Sequence, residues 1–156
     1  MPVFLLVVMA AWWFAVRPIM HEEGWVKVSE QVSLCGDATR TSLCVIDGDT
    51  VHMGDSDTRR RIRLTGFDAP ELDGACDGES RLAINARDAL REWLARGEFE
   101  WNGADDPPRD KYGRELRAAR RVGSADSREY LADVMIERGL AAKSSWGSEP
   151  RNWCAP

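Results

Sequence analysis

Hydrolysis of a phosphodiester with help from a hard cation needs three things: a few carboxylates around the metal, a base for the attacking water, and positive charge against the phosphorane that forms. The chain carries such a set in three short windows. Asp49 sits in Val45-Ile46-Asp47-Gly48-Asp49-Thr50-Val51. Asp68 and Glu71 share a loop directly after the segment that bears Arg63. Arg114 ends the turn Asp110-Lys111-Tyr112-Gly113-Arg114. Each residue also has an ordinary structural explanation. Asp-Gly is a common hairpin turn, Glu71 suits a solvated loop, and arginines are frequent on surfaces. On spacing alone, the structural explanation stands for each of them.

The elements that must position these residues are readable from periodicity. Leu43-Cys44-Val45-Ile46 reads as an apolar strand running into the turn Asp47-Gly48-Asp49-Thr50, and Val51-His52-Met53 resumes it. Arg61-Ile62-Arg63-Leu64-Thr65 alternates charged and apolar residues, the period-two pattern of a half-buried strand. From Glu79 the period changes: Leu82, Ala86, Ala89, Leu90, Trp93 and Leu94 recur at three and four, which predicts an amphipathic helix ending at Gly97. Phe99 to Asn102 reads as a strand, 103–110 as a polar loop, and Tyr112 to Val122 as extended chain. Asp126 with Glu129 has capping-box spacing for a second helix. Tyr130, Leu131, Val134 and Met135 would line its inner face, and Gly139 would close it. The expected fold class is therefore a mixed α+β barrel of short strands capped by helices.

With 156 residues the chain has room for one domain, and its 44% apolar and 30% charged content is ordinary for a globular protein. Part of that apolar content lies in the charge-free run Val3 to Val16, stopped by Arg17-Pro18. The run is shorter than the ~20 residues of a comfortable transmembrane helix and close to the length of a signal-peptide core. No Lys or Arg precedes it and no small-x-small cleavage site follows. Trp12-Trp13-Phe14 suits an anchor that stays at the membrane interface, and a buried N-terminal helix is the plainer alternative. Arg17 on its own would leave the rest of the chain in the cytoplasm. The cysteines point the other way. Cys35, Cys44, Cys76 and Cys154 lack C-x-x-C spacing and have only His21 and His52 for company, which argues against zinc and for two disulfides in an oxidising compartment. The reading is an extracytoplasmic domain, anchored if the N-terminal segment is retained.

The net charge of −5 is unlike the basic footprint of most proteins that grip nucleic acid. Its distribution is uneven: Arg59, Arg60, Arg61 and Arg63 form one cluster, and Arg114, Arg117, Arg120 and Arg121 form another.

Taken together, the three windows resemble the signature segments of the staphylococcal nuclease (thermonuclease) family, in the family's order and at similar separations. The stretch Tyr130 to Ala141 is similar to the family's second helix, so the resemblance spans roughly 43–142. It implies a five-stranded OB-type barrel with helices packed against it. It implies Ca²⁺ held by Asp49, Asp68 and the carbonyl of Ala69, with Glu71 as general base or positioner of the attacking water. Arg63 and Arg114 would bind the scissile phosphate, a task suited to a planar, bidentate donor, while Lys111 and Tyr112 would lie near a nucleotide's terminal phosphate. The implied reaction is cleavage of DNA or RNA to 3′-phosphate products by a monomer.

The chain also departs from the family. Where relatives place tyrosines after the second helix, it reads Ser144-Ser145-Trp146-Gly147, so Trp146 is the one candidate for stacking on a base. The family's usual third helix is absent, and a Cys76–Cys154 bridge is the expected replacement for its anchoring role, with Cys35–Cys44 as the second bridge. Four cysteines allow three pairings, and the sequence leaves them open. The resulting division is an apolar segment over 1–20, a tether and first strand over 21–42, the nuclease-like domain over 43–142 and an irregular, pinned tail over 143–156. Two other classes compete with the nuclease: a non-catalytic OB-type module binding nucleic acid or protein at the membrane, and a membrane-tethered interaction protein whose acidic surface repels nucleic acid. Convergence of the arginine clusters on the Asp49/Asp68 loop is what separates them.

Overall fold

Short apolar stretches punctuated by glycine and charged turns leave room for short strands, and the chain forms eleven of them among the described residues. The computed structural model describes residues 24–38, 41–55, 57–145 and 147–155, so the expected N-terminal segment and Trp146 lie outside the described residues. In order, the elements are β1 (Val26–Val28), β2 (Val32–Leu34), β3 (Leu43–Val45), β4 (Thr50–Met53), β5 (Arg60–Leu64), β6 (Phe67–Asp68), α1 (Asp77–Ala95), β7 (Phe99–Trp101), β8 (Glu115–Arg117), β9 (Ala119–Val122), β10 (Arg128–Tyr130), α2 (Leu131–Glu137) and β11 (Ala142–Lys143). The fold is mixed α+β. The stretch expected as a tether and first strand holds two strands, β1 and β2, and Val28 belongs to the core.

The strands fall into a five-stranded sheet of order β2-β3-β4-β5-β8, a four-stranded sheet β1-β7-β9-β10 and the pair β11-β6. β3, β4 and β5 form an antiparallel meander, while β2 joins β3 and β8 joins β5 in parallel. In β5 the alternation works as read: Ile62 and Leu64 are buried, Arg60 and Arg61 exposed and Arg63 half-buried. The inner face of the meander meets α1, whose residues Ala83, Ala86, Leu90, Trp93 and Leu94 are buried at helical spacing. Phe99, Trp101, Leu131 and Met135 complete the same core. None of the helices among the described residues is long and apolar enough to cross a membrane.

The second helix departs from expectation. It begins at Leu131, capped by Tyr130 without a side-chain hydrogen bond, because 128–130 pairs with β9 as a strand. Glu129 is therefore no capping-box partner; its carboxylate accepts from Trp93 Nε1 at 2.7 Å and Arg96 Nη2 at 2.5 Å. Tyr130 does not line the inner face either. It is exposed and meets Trp25 edge-on, with ring centroids 6.3 Å apart. An extended residue alternates faces at every step, so the helical register read back from Leu131 does not apply to it.

Two disulfides staple the chain. Cys35–Cys44 joins the turn after β2 to β3, with Cα atoms 5.0 Å apart, and Cys76–Cys154 ties the C-terminal tail to the N-cap of α1, with Cα atoms 6.0 Å apart. Both are compatible with an oxidising, extracytoplasmic compartment.

Candidate active site

Gly48 brings the first two windows together. A Cβ there would lie 2.6 Å from Ala69 Cβ and 2.9 Å from Ala86 Cβ. Only glycine lets the Asp47-Gly48-Asp49 turn press against both the Ala69 loop and α1. Asp49 arrives almost fully buried, and its backbone carbonyl accepts from Leu64 N at 2.7 Å, fixing the turn to β5. Its Oδ2 accepts from Ala69 N at 3.1 Å and its Oδ1 from Thr50 Oγ1 at 3.0 Å. Asp47 supports the turn by accepting from Asp49 N at 3.1 Å.

Arg63, paired with Thr50 in the β4–β5 register, points at this carboxylate. Nη1 donates to Asp49 Oδ1 at 3.1 Å, and Nη2 lies 3.0 Å from Asp49 Oδ2 and 2.6 Å from Asp68 Oδ1. One guanidinium thus bridges two carboxylates brought from positions 14 and 5 residues away in the chain. The charges do not cancel fully at Asp49: burial pushes its carboxyl up to about 7, with Arg63 pulling the other way and Asp47 adding to the rise. Arg63 itself is held above the usual guanidinium range by Asp49 and Asp68, against the cost of its own burial. Both shifts are upward and act oppositely on charge, favouring neutral Asp49 and charged Arg63. The net direction is a carboxylate short of positive charge beside an arginine that stays charged.

Glu71 lies at the exposed end of the same loop. Partial burial, then Asp47, lift its carboxyl above the ordinary glutamate range, and Arg63 opposes them. The carboxylates of Asp49, Asp68 and Glu71 are not gathered within 4.8 Å of one another. The Glu71 loop is held from below by the buried Glu79 of α1, which accepts from Ala75 N at 2.8 Å and Glu71 N at 3.5 Å.

The third window is organised by Asp110. Its carboxylate accepts from Tyr112 N and Arg114 N, each at 2.9 Å, and from Arg114 Nε at 2.7 Å. Burial is the largest single influence and raises the group, but these donors together hold it below the usual aspartate range. Among the described residues Nη1 and Nη2 of Arg114 make no hydrogen bond, which leaves one edge of its guanidinium available. Arg114 immediately precedes β8, whose first residue Glu115 pairs with Ile62 of β5. Tyr112 is 68% exposed, with Lys111 Nζ 4.9 Å and Arg114 Cζ 5.6 Å from its ring centroid.

The arginine clusters divide. Arg63 converges on Asp49 and Asp68, while Arg114 is held by Asp110. Arg60 turns to Glu115 at 3.4 Å. Arg117 is buried, with Nε 2.9 Å from Glu115 Oε2 and further bonds to the Asn102 and Ala104 carbonyls. Arg120 bonds Glu100 at 2.9 Å and lies 3.9 Å from the Trp25 ring centroid. Arg121 crosses to the C-terminal end of α1, donating to the carbonyls of Trp93, Leu94, Gly97 and Glu98. Three of the four arginines in the second cluster are thus committed to the fold.

Motif reading from sequence passed over Asp47, Glu79 and Asp110 as supports. Only Asp110 carried a legible signal, its i,i+4 spacing to Arg114. No protein-family model matches the chain, and no curated protein matches it at a significant level.

Proposed function

We propose that this chain is a Ca²⁺-dependent nuclease of the staphylococcal-nuclease-like type, a monomer outside the cytoplasm that cleaves phosphodiester bonds of DNA or RNA to 3′-phosphate products. The observation that carries this reading is Arg63 clasped between Asp49 and Asp68. On the same reading, the β3–β4–β5 meander with β8 added in parallel is the curled sheet of an OB-type barrel.

The donors fit a hard cation. Asp49, Asp68 and the Ala69 carbonyl offer only oxygen, the ligand type Ca²⁺ prefers, and a buried aspartate with its carboxyl pushed up to about 7 gains from added positive charge. A bound Ca²⁺ would polarise a phosphoryl oxygen and neutralise developing charge. The chain's own residues do the rest. Glu71, with its raised affinity for a proton, accepts one from the attacking water or holds that water in line. Arg114 offers its free guanidinium edge to a phosphate oxygen, oriented by Asp110. Arg63 gives up at least one carboxylate bond to take the other oxygen, and so couples phosphate binding to the state of Asp49 and Asp68. Tyr112 and Lys111 form an exposed edge where a flanking phosphate or base can rest.

The direct test uses the oxidised, full-length chain with single-stranded DNA and with RNA, in Ca²⁺ or in chelator. Cation-dependent cleavage that disappears in Glu71→Gln supports the reading. A folded protein that cleaves neither substrate with any of several divalent cations rejects it.

A second reading, a non-catalytic binding module tethered at the membrane, is favoured by one observation. Arg117, Arg120 and Arg121 serve the fold rather than a basic track, which leaves little electrostatic capture for long nucleic acid.

A further inference from the structure

On the outer side of the β3–β4 hairpin, away from the helices, His52 sits directly across from Cys44. Cys35 follows β2, which runs beside β3, and its backbone N–H is bonded to the Val45 carbonyl at 2.9 Å. Two paired strands and the turn after β2 therefore bring two sulfurs and an imidazole to one place, with a donor atom from each within 4.8 Å of the others. Both ring nitrogens of His52 are buried without a hydrogen-bond partner. A neutral imidazole has one donor and one acceptor to satisfy, and burying both idle is costly unless another state of the protein uses one.

We propose that Cys35, Cys44 and His52 form a latent site for a thiophilic metal ion such as Zn²⁺, closed while the two cysteines are joined and opened when that bridge is reduced. The stoichiometry is simple. A dithiol reductant passes two electrons and two protons to the Cys35–Cys44 disulfide, becoming a cyclic disulfide and leaving two thiols. The metal then takes both sulfurs as thiolates and one imidazole nitrogen, releasing two protons. In a tetrahedral zinc site, Zn–S of about 2.3 Å and Zn–N of about 2.0–2.1 Å set the donors about 3.5–3.8 Å apart. The separations already present need only close slightly once the sulfurs part. The frame survives reduction because the β2–β3–β4 hydrogen bonds hold it independently of the bridge. Arg61, across from His52 on β5, adds positive charge that favours the thiolates. The other cluster of this kind, Cys76, Glu79 and Cys154, lacks an idle donor, since Glu79 is engaged by Ala75 and Glu71.

The test is a titration of the full-length chain, reduced with a phosphine under anaerobic conditions, with Co²⁺ as the spectroscopic probe. The expected result is one equivalent of Co²⁺ showing thiolate-to-metal charge transfer and tetrahedral ligand-field bands, displaced by Zn²⁺ and absent before reduction. His52→Ala should weaken binding by about 10-fold or more, and Cys35→Ser should remove the charge-transfer absorption. Thiolate bands that persist in Cys35→Ser, or an affinity and spectrum unchanged in His52→Ala, overturn the proposal. So does a reduced chain with a native circular dichroism spectrum and no cobalt bands. If reduction unfolds the chain, Co²⁺ must restore the native spectrum in the wild type and not in His52→Ala; failure to do so also overturns it.

Discussion

Arg63 grips Asp49 with both arms of its guanidinium, Nη1 at 3.1 Å from Oδ1 and Nη2 at 3.0 Å from Oδ2, and uses the second arm on Asp68 as well. Asp49 is buried while Arg63 and Asp68 keep some exposure. The pair is therefore a partly dry ion pair with a wet edge, open to whatever anion or cation reaches Asp68.

Arg63→Ala strips Asp49 of its cation. Because the carboxyl already titrates near 7, it can meet the loss by staying protonated, which limits the cost to about 1.5–3 kcal/mol, the range of a hydrogen bond to a charged group. Urea denaturation at neutral pH measures it. On the proposed reading, cleavage falls by about 10²–10³-fold in the same variant.

The proton on Asp49 makes stability depend on pH. Its carboxyl titrates at about 7 in the folded chain against an ordinary 3.8, so the native state holds more protons across that window. Asp49's contribution to stability then falls as pH rises from near 3.8 through 7. In Asp49→Asn that slope is missing. The difference in unfolding free energy between the two proteins should move in the variant's favour with rising pH. A difference flat across the window refutes the assignment. Added Ca²⁺ should recover the wild type's loss above pH 7 and leave the variant unmoved.

Glu71 is exposed, so Glu71→Gln should leave the melting temperature within about 1 °C of wild type, as surface substitutions are nearly neutral. On the proposed reading, cleavage should fall by about 10²–10⁴-fold, the worth of a positioned base. The acid limb of the rate profile should lie above the ordinary glutamate value of 4.5, since burial and Asp47 raise the group. A limb at or below that value removes Glu71 from the role.

The two bridges should differ in worth. Chain entropy gives about 4.5 kcal/mol for the separation of 78 residues in Cys76–Cys154 and about 2.6 kcal/mol for the separation of 9 in Cys35–Cys44. Serine replacement of the first pair should therefore lower the denaturation midpoint more than replacement of the second. The reverse order would mean that the tail contributes little to holding the fold.

Arg121→Ala separates structural arginines from substrate-binding ones. α1 has no basic residue in its last turn, and Arg121 bonds four carbonyls at and beyond that end. Its loss should cost about 1–3 kcal/mol in thermal or chemical unfolding. On the proposed reading, the salt dependence of nucleic-acid binding should stay unchanged. A reduced salt slope in this variant would put Arg121 in contact with phosphate.

The sequence alone determines the elements whose signal is local. α1 is legible because Ala86, Leu90, Trp93 and Leu94 repeat at helical spacing and a glycine stops the run, and β5 because Ile62 and Leu64 alternate with arginine. Even the carboxylates and arginines of the candidate site stand out, since their windows are contiguous. Tertiary structure alone decides what those residues touch. Whether an arginine meets a carboxylate or a helix end depends on strand register and on loops packed from elsewhere, as the contrast of Arg63 with Arg121 shows. The start of α2 was equally hidden: Glu129 has capping-box spacing, but the pairing of 128–130 with β9 turns it to Trp93 and Arg96 instead. The close approach at Gly48, the support of Glu79 beneath the Glu71 loop and the meeting of His52 with two sulfurs belong to the same class. Each joins residues far apart in sequence through backbone placement, which side-chain periodicity does not encode.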